Sequence, residues 1–149
     1  MKSSFLFILV LFCSFSTNFA LGAVSIDTST NSGDLSNLVS ASWSHTISGS
    51  ERYLVVGLAG WDNSSSLNNV TVTYAGIAMI KLGGEQAAGN NNAVLWGLVN
   101  PASGTNTVSV SNIPAGFSEL GGGSISFIGV NQTTPIGILS NTQSSLTNI

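Results

Sequence analysis

The chain has 149 residues, 43% of them hydrophobic and 6% charged, with a net charge of −3. Three Lys and Arg residues are too few to track phosphates, which argues against nucleic acid or an anionic membrane surface as a partner. The apolar share is ample for a core and the charge too low to keep a chain expanded, which argues against intrinsic disorder.

At the N-terminus Lys2 precedes the apolar run Phe5 to Phe12, and the stretch closes on Ala20-Leu21-Gly22. A basic start, an apolar centre too short to span a bilayer and small residues near the cleavage point read as a secretory signal peptide over residues 1–22, in the form of a signal helix. The expected product is a secreted or cell-surface chain of 127 residues with no membrane anchor after cleavage. It keeps Arg52 and Lys81 against six acidic residues, a net charge of −4. Cys13, the only cysteine, falls in the removed segment, so stability must come from packing although an exported compartment permits disulfides. A lipid at Cys13 is disfavoured by the bulky Leu11-Phe12 ahead of it. Ser, Thr and Asn supply 52 of the 149 residues and must hydrate the surface in place of charge.

From Ala23 onward the apolar residues recur with period two rather than 3.6, which predicts strands and no helix. Eight strands are expected. Ala23 to Ile26 opens the domain. Ala41, Trp43, His45 and Ile47 alternate with Ser42, Ser44 and Thr46, the pattern of a half-buried strand. Tyr53 to Ala59 is apolar almost throughout, as a central strand covered on both faces would be. Val70 to Tyr74 alternates again, and Ala75-Gly76 follows as a tight hairpin turn before the apolar run Ile77 to Leu82. Ala93 to Leu98 is a second continuous strand, and Thr107 to Ser111 and Ser124 to Phe127 alternate. Loops are expected at Gly83 to Asn92, Asn100 to Gly104 and Ile113 to Gly116, where Gly and Pro interrupt the pattern. Gly121-Gly122-Gly123 reads as a flexible lead-in to the last strand or a bulge; no helix follows it, so it is not a phosphate cradle.

Strands at intervals of roughly 8 to 12 residues predict an all-β domain, an antiparallel β-sandwich of jelly-roll or immunoglobulin-like type. It would span residues 23–139, with a polar tail over 140–149. Trp43, Trp61, Trp96, Phe117 and Phe127 are the large groups expected to fill its core for the most part.

Reactive constellations are scarce. Nucleophilic catalysis needs a base beside its nucleophile, and His45 is the only histidine; it shares an apolar strand face with Trp43 and Ile47, which reads as a core histidine. Glu51, Asp62, Glu85 and Glu119 fall in loops or at strand ends, without the apolar setting that would raise one member of a hydrolytic carboxylate pair. Asp62 and Asn63 are the candidate calcium ligands, yet their stretch offers one carboxylate and matches no defined calcium loop. No His or Cys cluster exists for zinc, and no cofactor is implied. Asn63, Asn69 and Asn131 head N-glycan acceptor triplets and serve as surface markers. Trp61, beside Gly60 at a strand end, and the Asn90, Asn91, Asn92 loop are the candidate contacts for a sugar.

Six segments run in order from residue 40 to 136: Trp43-Ser44-His45-Thr46, Arg52-Tyr53-Leu54-Val55-Val56-Gly57, Val72-Thr73-Tyr74-Ala75-Gly76, Leu95 to Pro101, Gly104 to Val108, and Phe127 to Pro135. As an ordered set they resemble a secreted β-sandwich module that recurs, mostly without assigned activity, in large bacterial surface and extracellular proteins. The resemblance implies an adhesive or structural role outside the cell and brings no catalytic residue with it. Such modules generally continue past the Thr-Thr-Pro segment, whereas this sequence stops at Ile149; the expectation is a fragment, or a shortened domain whose open sheet edge invites self-association.

The function expected from the sequence is therefore that of a non-enzymatic extracellular module for adhesion or surface structure. Its partners would be other surface proteins, extracellular polysaccharide or its own kind. The alternative is a carbohydrate-binding module.

Overall fold

The computed structural model describes residues 23–61, 66–86 and 91–138. Signal segment, Asp62, Asn63, Asn90 and polar tail lie outside them. Among the described residues there are nine strands: β1 (Ser25–Asp34), β2 (Ser40–Ile47), β3 (Tyr53–Trp61), β4 (Thr71–Tyr74), β5 (Ile77–Ala78), β6 (Ile80–Gln86), β7 (Asn91–Val99), β8 (Gly104–Ser111) and β9 (Glu119–Ile128). They form two antiparallel sheets, one of five strands in the order β1-β9-β3-β7-β6 and one of four in the order β2-β8-β4-β5. The fold is all-β, and the two sheets enclose one core, as a β-sandwich does.

The period-two pattern explains how the layers meet. In β3 the residues Leu54, Val56 and Leu58 are buried, and the intervening Val55, Gly57 and Ala59 face the other way. Across the core they meet Val72 and Tyr74 of β4 and Val108 and Val110 of β8. Trp96 and Phe117 are buried as expected, each removing a large apolar surface from water. Every fully buried aliphatic residue of this set contributes roughly 1.5–3 kcal/mol.

The hairpin at Ala75-Gly76 forms as read: both residues have positive φ, 49° and 78°. Two left-handed residues match the twist of the strands they join, which is why glycine suits the second position. The run Ile77 to Leu82 does not form one strand. Met79 is buried and its N–H donates to the Val72 carbonyl (2.9 Å), the last tie of this segment to β4; from Ile80 the chain pairs with β7 in the other sheet as β6. At the opposite side, the opening strand runs through Asp34 rather than ending at Ile26. Gly121, Gly122 and Gly123 lie within β9, paired to both β1 and β3, so they are not a lead-in; the irregularity in this stretch puts the extra residue in β1, between Asn31 and Asp34, opposite Gly122.

One end of the molecule is tied by Arg52. Its Nε donates to the Pro101 carbonyl (2.8 Å), Nη1 to Gly49 (2.9 Å) and Nη2 to Asn100 Oδ1 (2.9 Å). Gln132 Nε2 donates to the carbonyls of Arg52 and Val130. Three of the segments quoted above, around Arg52, Asn100-Pro101 and Asn131-Gln132, thus meet through hydrogen bonds that hold loops in place.

Candidate functional site

Two features stand out, one between the sheets and one outside them. The inner feature surrounds His45. Its inward direction on β2 is the one the alternation predicts, and the side chain is 1% exposed. Facing it are hydroxyls of the other sheet: Ser124 Oγ and Thr30 Oγ1 lie 2.9 and 3.0 Å from Nδ1, and Thr28 Oγ1 lies 3.3 Å from Nε2. The Thr28 hydroxyl donates to the Thr46 carbonyl, so it presents a lone pair to the ring. This assigns the proton to Nε2 and leaves the single Nδ1 lone pair to be shared by the Ser124 and Thr30 hydroxyls. Trp43 Nε1 donates to Ser124 Oγ (3.0 Å), which accounts for the half-buried position of that indole. The network ends on Asp27, whose carboxylate accepts from Ser126 Oγ (3.0 Å) and from the hydroxyl and N–H of Ser48.

Electrostatics follow from this geometry. Burial disfavours the imidazolium and pushes the His45 pKa below the ordinary 6.5, with the charge of Asp27 opposing the shift. For Asp27, partial burial would raise the pKa, but the Ser48 and Ser126 hydrogen bonds outweigh it and hold the carboxyl below the ordinary 3.8. Ser124 and His45 have the separation of a nucleophile and its base, yet Ser124 is 4% exposed and Asp27 reaches the ring only through Ser126 and Thr28. Opening that pair to a substrate would require separating the two sheets.

The outer feature is the solvent side of the five-stranded sheet. Register places its residues in rows across the strands. Ile26, Phe127, Tyr53 and Val99 form one row; Ser29, Ile125, Val55, Gly97 and Ile80 the next; then Asn31, Gly123, Gly57, Leu95 and Gly83. Gly121, Ala59 and Ala93 follow, and Glu119, Trp61 and Asn91 close the face. Tyr53 lies over Gly97, its hydroxyl occupying the space a Cβ would take there, and this burial raises the phenol pKa above the ordinary 10.0. Over Gly57 and Gly123 the face sinks into a shallow trough of about 380 Å³, walled by Val55, Ile125 and Leu95.

Trp61 is 38% exposed on this outer face rather than packed in the core, because the strand alternation that buries Leu58 turns it outward. Phe127, half-buried, is on the same side, so two of the five aromatic residues expected inside stand on the outer surface. Asn91 is exposed and directly opposite Trp61 in the β3-β7 ladder. Asn92 turns inward, is buried, and its Oδ1 accepts from the Leu67 N–H (3.4 Å), which removes it from the sugar-contacting set. Asn69 and Asn131 are exposed, and Asn131 Oδ1 caps the Thr133 and Thr134 N–H groups. Among the described residues no group of three or more His, Cys, Asp or Glu side chains could hold a metal ion, and no helix is long and apolar enough to cross a membrane.

Alternation alone could have located the outer face, since Val55, Ile125 and Leu95 sit on one parity of their strands; the trough could not be foreseen, because it depends on which glycines are neighbours. Comparison with family models, characterised proteins and solved structures returns no match.

Proposed function

We propose that the chain is a non-enzymatic extracellular β-sandwich module, of the jelly-roll or immunoglobulin-like type, that serves adhesion or surface structure through the outer face of its five-stranded sheet. The observation that carries this reading is the composition of that face. A two-layer sandwich keeps its outer positions polar, whereas here Ile26, Ile80, Leu95, Val99 and Trp61 are all exposed on one side. Contiguous apolar patches of this kind on secreted domains mark contact surfaces. The burial of the His45–Ser124 pair supports a role without catalysis. The signal segment and the low charge support an exported location.

Leu95→Asp places a charge at the middle of the face from a side chain that is 46% exposed, so the fold is expected to survive. Beads coated with the wild-type protein are expected to adhere to the surface of the cells that secrete it, and beads coated with Leu95→Asp to lose at least nine-tenths of that adhesion. Equal adhesion by the two would remove the face from the reading.

A second reading, a carbohydrate-binding module, is favoured by one pair: Trp61 and Asn91 are exposed cross-strand neighbours, an aromatic platform beside an amide. On this reading a glycan array records saccharide binding that Trp61→Ala abolishes and Leu95→Asp leaves in place; an array without signal, or one unchanged by Trp61→Ala, discards it.

A further inference from the structure

The outer face of the five-stranded sheet has a shape and charge layout that select one occupant. At one end it carries large side chains: Ile26, 63% exposed, Val99 and the half-buried Phe127 share a row with Tyr53, which is itself buried over Gly97, and Ile80, 71% exposed, stands one row on. Next to these rows the face falls into the trough floored by Gly57 and Gly123 and continued by Gly121, Ala59 and Ala93.

We infer that this face packs against the same face of a second copy of the chain, about a two-fold axis that lies between the two sheets and runs across the strands, with the large side chains at the Tyr53 end of each copy seated over the trough of the other. The inference rests on the reading above that the face is the contact surface.

Three observations favour a second copy over an unrelated partner. First, a two-fold interface must be self-complementary, and rows of large side chains beside rows of glycine and alanine meet that condition when the axis crosses the strands between them. Second, the charged side chains described on the face, Asp34 and Glu119, both sit at its Trp61 end. The rotation sends these ends in opposite directions, so the carboxylates of the two copies fall at the rim on opposite sides and do not confront each other. The centre is left without charge, which removes the repulsion that would otherwise oppose a homodimer of acidic chains. Third, the size is sufficient: five strands at about 4.8 Å and nine residues at about 3.3 Å give a face of roughly 700 Å². That falls within the range of about 600–800 Å² per partner at the lower end of specific interfaces, and above most lattice contacts. The small residues of the trough let the second sheet approach to the ordinary packing distance of about 10 Å.

The sheet edges are poorer candidates for self-association. β5 has two residues, β1 is broken by register shifts after Ile26 and after Asn31, β6 by one after Lys81, and the Thr28 hydroxyl of β1 takes the Thr46 carbonyl on the free side of β2. Short and bulged edges are how natural sheets discourage strand addition.

Sedimentation velocity of the purified protein between about 1 and 100 µM tests the pairing, with dimers expected to dominate at the upper end and a Kd in the micromolar range. Leu95→Asp and Ile80→Asp are each expected to remain monomeric throughout while keeping the wild-type far-ultraviolet circular dichroism. Ser44→Asp, on the exposed face of the four-stranded sheet, should dimerise as the wild type does. A wild-type protein that stays monomeric at the highest concentration overturns the pairing, as does a dimer that persists in both face variants. The bead assay separates the two levels of the argument. Monomeric wild type with adhesion still lost in Leu95→Asp leaves the contact face standing and overturns only the homotypic pairing, whereas monomeric wild type with unchanged adhesion removes both.

Discussion

Gly122→Ala is expected to cost about 3 kcal/mol or more of unfolding free energy, while Gly121→Ala, one residue earlier in the same strand, changes it by less than about 0.5 kcal/mol. A Cβ at Gly122 would stand 2.2 Å from the Gly57 carbonyl oxygen and 2.6 Å from Leu58 Cδ2. A Cβ at Gly121 would find its nearest neighbour, the Gly33 carbonyl oxygen, at 3.9 Å. The obstacle at Gly122 is backbone belonging to β3, and β3 is held on its other side by the full β3-β7 ladder. It cannot yield as the tip of a side chain would. At position 121 the added methyl meets nothing, and the entropy that glycine loses on folding is partly recovered. For a domain of this size the Gly122 cost corresponds to a fall in Tm of about 10 °C. Urea unfolding of both variants checks the contrast; midpoints that shift equally would show that β9 does not need a bare backbone at Gly122.

The glycine run shows why part of this fold was legible and part was not. Alternation gave β2 its face correctly, down to His45 pointing inward, because each inward position there is larger or less polar than its neighbours. The same rule failed on β1. Its inward residues Thr28 and Thr30 are hydroxylic, since they meet His45 and Ser126 rather than the aliphatic core, so a strand of ten residues carried an apolar signal only as far as Ile26. The unbroken run from Ile77 to Leu82 held no mark of the sheet change at Met79, because the residue buried there is no more apolar than the exposed Ile77 and Ile80 on either side. In the Tyr53 to Ala59 strand the apolar residues on both parities were read as covered on both faces. Leu54, Val56 and Leu58 are, but Val55 and Ala59 look out onto the trough side. Composition records that a face is apolar; it does not record whether the layer that covers it is folded from the same chain. The buried polar seam was illegible for a related reason. In a sequence this rich in serine and threonine, the hydroxyls at positions 28, 30, 124 and 126 differ from the rest only in being brought together.

That seam makes the protein sensitive to acid at a pH where its carboxylates are still charged. Neutral His45 shares its Nδ1 lone pair between the Ser124 and Thr30 hydroxyls and donates at Nε2 to Thr28. Protonation would require both hydroxyls to turn, and would place a charge at a site 1% exposed. The neighbouring charged group is Asp27, which is linked to the ring through Ser126 and Thr28 and opposes the shift only in part. Because the folded-state pKa lies below 6.5 and the unfolded chain titrates near 6.5, the unfolded state binds more protons as pH falls. Stability is therefore fully present above pH 6.5 and is lost below it, with a slope of at most about 1.4 kcal/mol per pH unit until His45 itself titrates. Asp27, held below 3.8, adds its own loss only when pH falls through that lower range. His45 is the sole histidine, so a decline in the urea midpoint between pH 7.0 and pH 5.5 belongs to it. His45→Leu is expected to cost about 2–3 kcal/mol at pH 7.0, by stranding hydroxyls that now lack the ring nitrogens, and to flatten the profile over that interval. Adding Thr30→Val to His45→Leu should restore part of the loss, since it removes the hydroxyl left behind, whereas Thr30→Val alone should destabilise. A pH slope that survives in His45→Leu, or a double variant no better than the single one, would show that the imidazole and its ring of hydroxyls do not act as one unit.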